Sequence, residues 1–160
     1  MTLLLLASLF SVRPVDPIAA ATLDFAAQRS AIVRSLIDSL RASNVIVHVE
    51  SSRTLPDGIG GTTRFIVSRG SVRYLRITIE ADLPIEARVG LLAHELRHAC
   101  EMSDSGARDT GELRSLFERV GMRRGNYFET AAAIEIERRV RAELRERRTL
   151  QAEPVVKFHH

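Results

Sequence analysis

Residues 94–98 read His-Glu-Leu-Arg-His, an arrangement that could bind a metal ion and activate water. On a helix, residues four apart lie on one face, about 6 Å apart along the axis, so His94 and His98 could share one ion. Zinc binds neutral imidazole nitrogen, and a catalytic zinc ion takes three protein ligands and one water. Glu95 would then act as the general base on the metal-bound water. The pattern therefore predicts zinc as the cofactor and Glu95 as the catalytic residue.

The residues around this motif have the pattern of a buried helix. Asp82 and Pro84 followed by Glu86 are typical of a helix start. Apolar residues then recur at helical spacing, at Ile85, Val89, Leu92, Leu96 and Ala99. The alternative is a surface helix with two exposed histidines, and the regular apolar face favours the metal site.

A catalytic metal needs a third protein ligand, and Glu129 is the preferred candidate. It has helical spacing with Ala133 and Val140, which predicts that it opens the last helix on an inward-facing apolar side. A buried carboxylate needs a partner or a metal, which favours the role of ligand. The alternative is a capping-box contact with Asn126 at the helix start.

Two other carboxylates near the motif are candidates for the third ligand. Glu101 lies about 10 Å along the helix axis from His94, which suits a residue that orients His98 better than a ligand. Asp104 would need a sharp turn after the helix, with glycine where Glu101 stands, and is therefore disfavoured. Both remain alternatives to Glu129.

The composition is that of a globular protein with one ordinary domain. The chain has 160 residues, of which 45% are hydrophobic and 27% charged, and its net charge is +3. It has no tryptophan and no basic run interleaved with aromatic residues, so no nucleic-acid partner is predicted. Cys100 is the single cysteine, which excludes an internal disulfide and predicts a small buried residue. No feature predicts an oligomeric state.

The two ends of the chain differ from the rest. Residues 3–12 are mostly apolar, but the run is too short to span a bilayer comfortably, and Ala19, Ala20 and Ala21 follow it. Segment 1–22 is therefore predicted to be a signal peptide or a hydrophobic N-terminal segment. This favours an exported protein, periplasmic or secreted, with membrane association through the N-terminal segment as an option. Residues 151–160 are predicted to form a loose tail.

Between these ends, residues 23–150 are predicted to form one domain of the α+β class. We expect an amphipathic helix over 23–42 and strands at 45–50, 63–68 and 72–79. The last two strands would form a hairpin around Gly70. Further helices are expected over the motif and over 110–120 and 127–148. The predicted fold is a small antiparallel sheet of about three strands packed on the motif helix and the C-terminal helices.

His94-Glu95-x-x-His98 with a glutamate from a later helix resembles the gluzincin class of zinc metallopeptidases, particularly its minimal single-domain members. The segment His-Glu-Leu-Arg-His-Ala-Cys-Glu, together with a later Glu-Thr-Ala-Ala-Ala, also resembles sequences of small uncharacterised exported bacterial proteins. The resemblance covers mainly residues 72–145. It implies that His94, His98 and Glu129 bind zinc and that Glu95 is the base. In a departure from the class, Ala133 stands where an aspartate would follow the glutamate.

The resemblance implies a zinc-dependent hydrolase of the metallopeptidase type that acts on a peptide or protein substrate. Candidate donors to its transition state are Tyr127, Tyr74 and His48. A second hypothesis is a non-catalytic zinc-binding or interaction domain on the same helical scaffold. A third is a metal-free helical domain whose arginine-rich last helix binds an acidic partner or a membrane surface. An open coordination position beside Glu95 distinguishes the first hypothesis from the second.

Overall fold

The computed structural model describes residues 11–124 and 127–152. Within these residues, five helices and six strands form a mixed α/β fold with one four-stranded sheet and one separate two-stranded hairpin. In chain order the elements are β1 (Val12–Pro14), α1 (Pro17–Arg29), α2 (Ala31–Arg41), β2 (Val45–Ser52), β3 (Gly61–Arg69), β4 (Val72–Glu80), α3 (Ile85–Ser105), α4 (Thr110–Val120), β5 (Met122–Arg124), β6 (Tyr127–Glu129) and α5 (Ala131–Ala152).

The main sheet is mixed, with the strand order β1-β2-β4-β3. β1, β2 and β4 are parallel, and β3 runs antiparallel to its neighbour β4. The predicted antiparallel sheet of three strands is therefore wrong. The predicted hairpin between β3 and β4 is confirmed, and Gly70 in its turn has a φ of +60°. The loop between β2 and β3 crosses the position that β4 occupies, so β3 does not pair with β2. β4 then lies between these two strands and pairs with both.

Alternate residues of the strands form the core of the protein. In β2 and β4 every second side chain is buried, and the side chains between them are half-buried or exposed. The buried residues of these two strands include Val45, Val47, Val49, Leu75, Ile77 and Ile79. We call the face that carries them the inner face, and α1, α2 and α3 pack against the sheet there. The opposite side of the sheet is the outer face.

A buried arginine fixes the C-terminal end of α3 to the sheet. Arg73, in β4, donates hydrogen bonds to the carbonyl oxygens of Met102, Ser103 and Ala107 at 2.8, 2.9 and 3.2 Å. Carbonyl groups at a helix end have no partner within the helix, so these bonds satisfy them. Gly106, at a φ of +70°, ends the helix in the left-handed conformation. The motif helix therefore has a fixed position relative to β4.

The helix predicted over residues 23–42 is two helices, α1 and α2, separated at Ser30. The Ser30 hydroxyl accepts a hydrogen bond from the Val33 N–H at 3.1 Å and so caps α2. The same hydroxyl donates a hydrogen bond to Glu143 Oε2 at 2.6 Å. Because apolar residues continue at helical spacing on both sides of residue 30, the pattern alone does not show the break.

Residues 12–22 contribute to the folded domain. Val12 and Ala19 are buried in the core. Asp16 accepts hydrogen bonds from the Ser51 N–H at 2.7 Å and the Ala19 N–H at 2.9 Å, which joins the start of α1 to β2. The predicted loose tail begins too early, because residues 151 and 152 belong to α5. Residues 1–10 and 153–160 lie outside the described residues, so a leader and a tail over 153–160 stay predictions, as does export. No helix among the described residues is long and apolar enough to cross a membrane.

We expect loss of residues 11–22 to destabilise the domain. A chain that begins at Leu23 lacks the buried side chains of Val12 and Ala19 and leaves β2 as an edge strand. Burying one valine side chain contributes about 1.5–3 kcal/mol, and the lost hydrogen bonds add to this. Urea unfolding should therefore give a free energy of unfolding lower by about 3 kcal/mol than that of a chain beginning at Ser11. Equal stability of the two chains would contradict the contribution of β1 and α1.

Candidate metal centre

His94 and His98 lie in the middle of α3, and their buried rings point to a common position. The two residues are 6% and 5% exposed. Their Nε2 atoms are 3.2 Å apart. Two ligand atoms bound at about 2.0–2.1 Å to a tetrahedral ion would lie about 3.3 Å apart. The four-residue spacing on a regular helix therefore places the two nitrogens where one ion could bind both.

Glu129 supplies a third ligand atom from a different element. Its Oε1 lies 3.1 Å from His94 Nε2 and 3.6 Å from His98 Nε2. The three ligand atoms all lie within 4.8 Å of one another, and they form the one such group found among the described residues that could hold a metal ion. The residue preferred as the third ligand thus lies beside the histidine pair.

Glu129 precedes the last helix instead of opening it. It is the last residue of β6, and α5 begins two residues later, at Ala131. Thr130 caps α5, because its hydroxyl accepts a hydrogen bond from the Ala133 N–H at 3.2 Å. The capping role considered for Glu129 therefore belongs to Thr130, and Asn126 lies outside the described residues. The pairing of β5 with β6 holds Glu129 opposite Met122 and beside the histidines.

Each histidine is oriented by a carboxylate at its other ring nitrogen. His94 Nδ1 is 3.1 Å from Glu137 Oε2, and His98 Nδ1 is 3.0 Å from Glu101 Oε2. A carboxylate at Nδ1 favours a proton there, which leaves the lone pair of Nε2 for a metal. Glu101 also accepts a hydrogen bond from the Thr130 hydroxyl at 2.8 Å. Its contacts are those of a residue that positions His98.

Glu137 was not among the candidates from the sequence, although the rule that selected the third ligand would have found it. It shares one face of α5 with buried residues at helical spacing, namely Ala133, Val140 and Leu144. A carboxylate on such a face needs partners. The ring of His94 is one partner of Glu137. Arg141 is another, because one of its guanidinium nitrogens lies 2.7 Å from Glu137 Oε1.

The carboxylates control the electrostatics of the group. Burial lowers the pKa of His94, but hydrogen bonds to Glu129 and Glu137 outweigh burial and raise it to about 10. Burial likewise lowers the pKa of His98, and hydrogen bonds to Glu101 and Glu129 raise it to about 9. Burial raises the pKa of Glu129, but the two histidines outweigh it and lower the pKa to about 2. The group therefore favours a bound cation, and metal binding at the two Nε2 atoms would release protons.

Glu95 is buried beside the histidines and faces β3. Burial raises the pKa of its carboxyl, an effect that His98 and the hydrogen bond from Thr63 partly offset. The Thr63 hydroxyl donates to Glu95 Oε2 at 2.7 Å. Gly61 leaves space for the other oxygen, since a side-chain carbon at that position would lie 2.9 Å from Oε1. Strand β3 therefore holds the carboxyl group in one orientation.

A cleft of about 700 Å³ opens over the group. Residues 61–65 of β3, an edge strand of the sheet, form one wall. Leu113 and Phe117 of α4 and Phe128 of β6 form the other. Phe117 stacks on Phe128 with ring centroids 5.9 Å apart, and it meets the ring of His98 edge-on, also at 5.9 Å. One wall of the cleft is therefore mainly apolar, with Thr110 and Arg114 beside the aromatic residues, and the other is the edge strand of the described sheet.

The remaining candidates from the sequence do not line the cleft. Tyr74 and His48 lie on the outer face of the sheet, with ring centroids 6.4 Å apart, because they alternate with buried residues in β4 and β2. Their predicted role as transition-state donors is wrong for this reason. Asp104 is exposed near the end of α3, outside the three-ligand group. The side chain of Tyr127 lies outside the described residues, so its role stays a prediction.

Replacing Glu137 by glutamine is expected to weaken metal binding about 10–100-fold, the usual contribution of a residue that orients a metal ligand. Glu135→Gln is the matched control, because Glu135 is an exposed residue of the same helix whose carboxylate bonds to Arg138. Competition with a chromogenic chelator measures both affinities. Unchanged affinity in Glu137→Gln, or an equal loss in the control, would contradict the orienting role.

The chain matches no protein-family model, no curated protein and no solved structure. The site consists of two buried imidazoles and one carboxylate with converging ligand atoms, a second carboxylate at each ring, and a buried glutamate beside them.

Proposed function

We propose that this protein is a zinc-dependent hydrolase of the metallopeptidase type, with His94, His98 and Glu129 as ligands and Glu95 as the general base. The observation that carries the proposal is the number of ligands beside Glu95. Among the residues that the structure describes, the group offers three protein ligands, the number typical of catalytic zinc, whereas structural zinc is usually enclosed by four. Glu101, the alternative third ligand, does not join this group, and its carboxylate lies 3.0 Å from His98 Nδ1.

Zinc fits this set of donors. Zinc accepts imidazole nitrogen and carboxylate oxygen at about 2.0–2.2 Å. The distances between the ligand atoms, 3.1, 3.2 and 3.6 Å, are close to those of a tetrahedral arrangement. When bound, zinc would lower the pKa of a water molecule to about 7 and polarise the carbonyl group of the substrate. The carboxylates at the two Nδ1 atoms would make the imidazoles stronger donors.

Glu95 would transfer the proton during hydrolysis. Its carboxylate would accept a proton from the attacking water and then deliver it to the leaving amine. Burial raises the pKa of this carboxyl, which brings it closer to the range in which a general base is effective. The hydrogen bond from Thr63 and the close approach of Gly61 support this role, because a general base must be held in one orientation.

The cleft favours an extended peptide as the substrate. β3 is an edge strand of the sheet as described for residues 11–124 and 127–152, and within these residues the backbone groups on its free side have no strand partner. Residues 61–65 of this strand line the cleft beside Glu95. A peptide that adds to this edge as a further strand would pass over the three ligands. Its alternate side chains would then face the apolar wall of Leu113, Phe117 and Phe128.

Dependence on the metal tests the proposal. The chain would carry alanine at His159 and His160, so that zinc does not bind to its terminal histidines, and it would be stripped with a chelator and reloaded. We expect about one zinc per chain. We also expect hydrolysis of unfolded casein by the loaded protein alone, and a stabilisation of about 4 kcal/mol when free zinc is about 1,000 times its Kd. Zinc binding without hydrolysis would favour the non-catalytic zinc-binding domain, and absence of zinc binding would overturn both hypotheses.

A further inference from the structure

Two arginines line the cleft over the metal group, and the proposed hydrolytic step uses neither of them. Arg114 belongs to α4, in the wall opposite the edge strand, and Arg64 belongs to β3. Because Arg64 pairs with Arg76, its side chain projects to the outer face of the sheet. Arg114 instead shares a face of α4 with Thr110 and Phe117, which also line the cleft. Arg114 is therefore the arginine that can meet a ligand inside the cleft.

The guanidinium group of Arg114 is available to a ligand. The residue is exposed, and no ion pair or hydrogen bond joins its side chain to another described residue. Glu118 stands one helical turn further along α4, at a spacing at which such residues can pair, but the two do not pair. In α5, by contrast, Arg138 pairs with Glu135 at 2.7 Å. The charge of Arg114 is therefore not neutralised within the part of the chain that the structure describes.

The carboxylates that line the cleft do not cancel this charge when a metal is bound. Glu95 and Glu129 lie at the metal group, and the two charges of a divalent ion would offset them. Glu137 has its own cation, because its Oε1 lies 2.7 Å from a guanidinium nitrogen of Arg141. The side of the cleft that Arg114 occupies therefore stays positively charged, which favours an anionic group on the substrate.

The position of Arg114 limits which part of a bound peptide it can contact. Phe117 meets the ring of His98 edge-on, with ring centroids 5.9 Å apart, so it marks the level of the metal group on α4. Arg114 precedes Phe117 by about 4.5 Å along the helix axis. An extended peptide advances about 3.3 Å per residue. A peptide group that meets Arg114 would therefore lie within about two residues of the bond over the metal group.

We propose, as an inference that rests on the hydrolase function proposed above, that Arg114 binds a carboxylate of the substrate peptide within about two residues of the scissile bond. An acidic side chain and the C-terminus of the peptide both supply such a carboxylate. A guanidinium group can donate two parallel hydrogen bonds to it. A bound peptide would also cover the apolar residues beside Arg114, namely Leu113, Phe117 and Phe128, and the exclusion of water there strengthens the ion pair. Arg114 therefore determines specificity and takes no part in the chemical step.

Competitive cleavage of matched peptides by the zinc-loaded full chain measures this preference. The peptides would carry glutamate, glutamine or lysine at each position in turn and have amidated C-termini, and mass spectrometry would locate the cleaved bond. We expect glutamate near that bond to raise kcat/KM about 10-fold over glutamine, and less so as salt is raised. Arg114→Glu should prefer lysine instead. A preference that appears only in peptides with a free C-terminus would assign Arg114 to the terminal carboxylate.

Peptide binding without turnover separates the role of Arg114 from the hydrolytic activity. Fluorescence anisotropy of labelled peptides would be measured on the zinc-loaded Glu95→Gln chain. We expect added Arg114→Gln to weaken binding of the glutamate peptide about 10-fold and to change binding of the glutamine peptide much less. The matched control is added Arg119→Gln, because Arg119 is an exposed residue of the same helix outside the cleft lining. We expect the control to bind both peptides as the Glu95→Gln chain does.

The two measurements have different consequences for the two proposals. Binding of acidic peptides that depends on Arg114, without hydrolysis by the chain that keeps Glu95, would keep the assignment of Arg114 and overturn the hydrolase function. Hydrolysis with no preference for a carboxylate would overturn the assignment and leave the hydrolase function intact. An equal loss of binding in the Arg119→Gln control would also overturn the assignment. Absence of both peptide binding and hydrolysis would overturn both proposals.

Discussion

Glutamine in place of Glu95 is expected to leave zinc bound and to lower kcat for peptide hydrolysis about 10²–10⁴-fold, the contribution typical of a general base. Glutamine has the size of glutamate, and the Thr63 hydroxyl can still donate a hydrogen bond to its amide oxygen, so the cleft keeps its shape. An amide cannot accept the proton of the attacking water. Turnover of a fluorogenic peptide at saturating concentration measures the chemical step, and mass spectrometry measures the bound zinc.

Glu86→Gln is the matched control for this variant. Glu86 belongs to the first turn of the same helix, and its carboxylate lies 3.6 Å from Arg148, away from the residues that line the cleft. We expect full activity and full zinc content in the control. Undiminished kcat in Glu95→Gln would contradict the proposed mechanism. Loss of zinc from Glu95→Gln would show that Glu95 maintains the metal group and would leave its role as base without support.

The elements around the site that could be predicted are those specified by residues close together in the chain. The motif helix follows from apolar residues at helical spacing, and the hairpin from Gly70 between two β-rich segments. α4 covers the expected residues 110–120, and Asp109 caps its start by accepting a hydrogen bond from the Glu112 N–H at 2.9 Å. Each of these signals acts within a few residues and so requires no knowledge of the tertiary fold.

The order of the strands could not be predicted, because alternation of apolar and polar residues is the same in a parallel and an antiparallel arrangement. The position of β4 between β2 and β3 depends on how the loop between β2 and β3 crosses the sheet. The same crossing brings together residues that are far apart in the sequence, because the pairing register places Arg64, Arg76 and His48 side by side on the outer face.

The arginine-rich last helix is the more conspicuous basic feature of the sequence, but its charges are partly neutralised within the helix. Arg138 pairs with Glu135 at 2.7 Å, and Arg141 pairs with Glu137 at 2.7 Å. Such pairs one helical turn apart are typical of a solvated helix surface. The number of arginines in this helix therefore overstates its positive charge.

The sequence predicts some of the candidate metal ligands better than others. The histidine pair follows from four-residue spacing on one helix, which needs no other element. An apolar helix face predicts Glu129 as the third ligand, but Glu129 lies in β6, and its partners are the two histidines. Glu137 is the carboxylate that lies on the buried side of α5. A buried carboxylate does need partners, but the start of α5 cannot be located closely enough from the sequence to tell which glutamate lies on the helix face.

Replacing Glu129 by alanine is expected to lower zinc affinity about 10²–10³-fold. Zinc sites in small proteins derive roughly 10–16 kcal/mol from about four ligands, so the loss of one ligand corresponds to about 3–4 kcal/mol. The variant keeps the two Nε2 atoms and the carboxylates that orient them, and a site with two ligands should still bind zinc weakly. Competition with a chelator at constant pH gives the affinity.

Glu101→Gln distinguishes between the candidates for the third ligand, because Glu101 is an alternative to Glu129. Its carboxylate contacts His98 Nδ1, so its loss should cost about 10–100-fold, less than the loss of Glu129. The reverse order of the two losses would make Glu101 the ligand and Glu129 the orienting residue. Unchanged affinity in both variants would mean that the histidines bind zinc without either carboxylate, and the three-ligand site would then be wrong. Because Glu129 Oε1 lies 3.1 Å from His94 Nε2, we expect the larger loss of zinc affinity in Glu129→Ala.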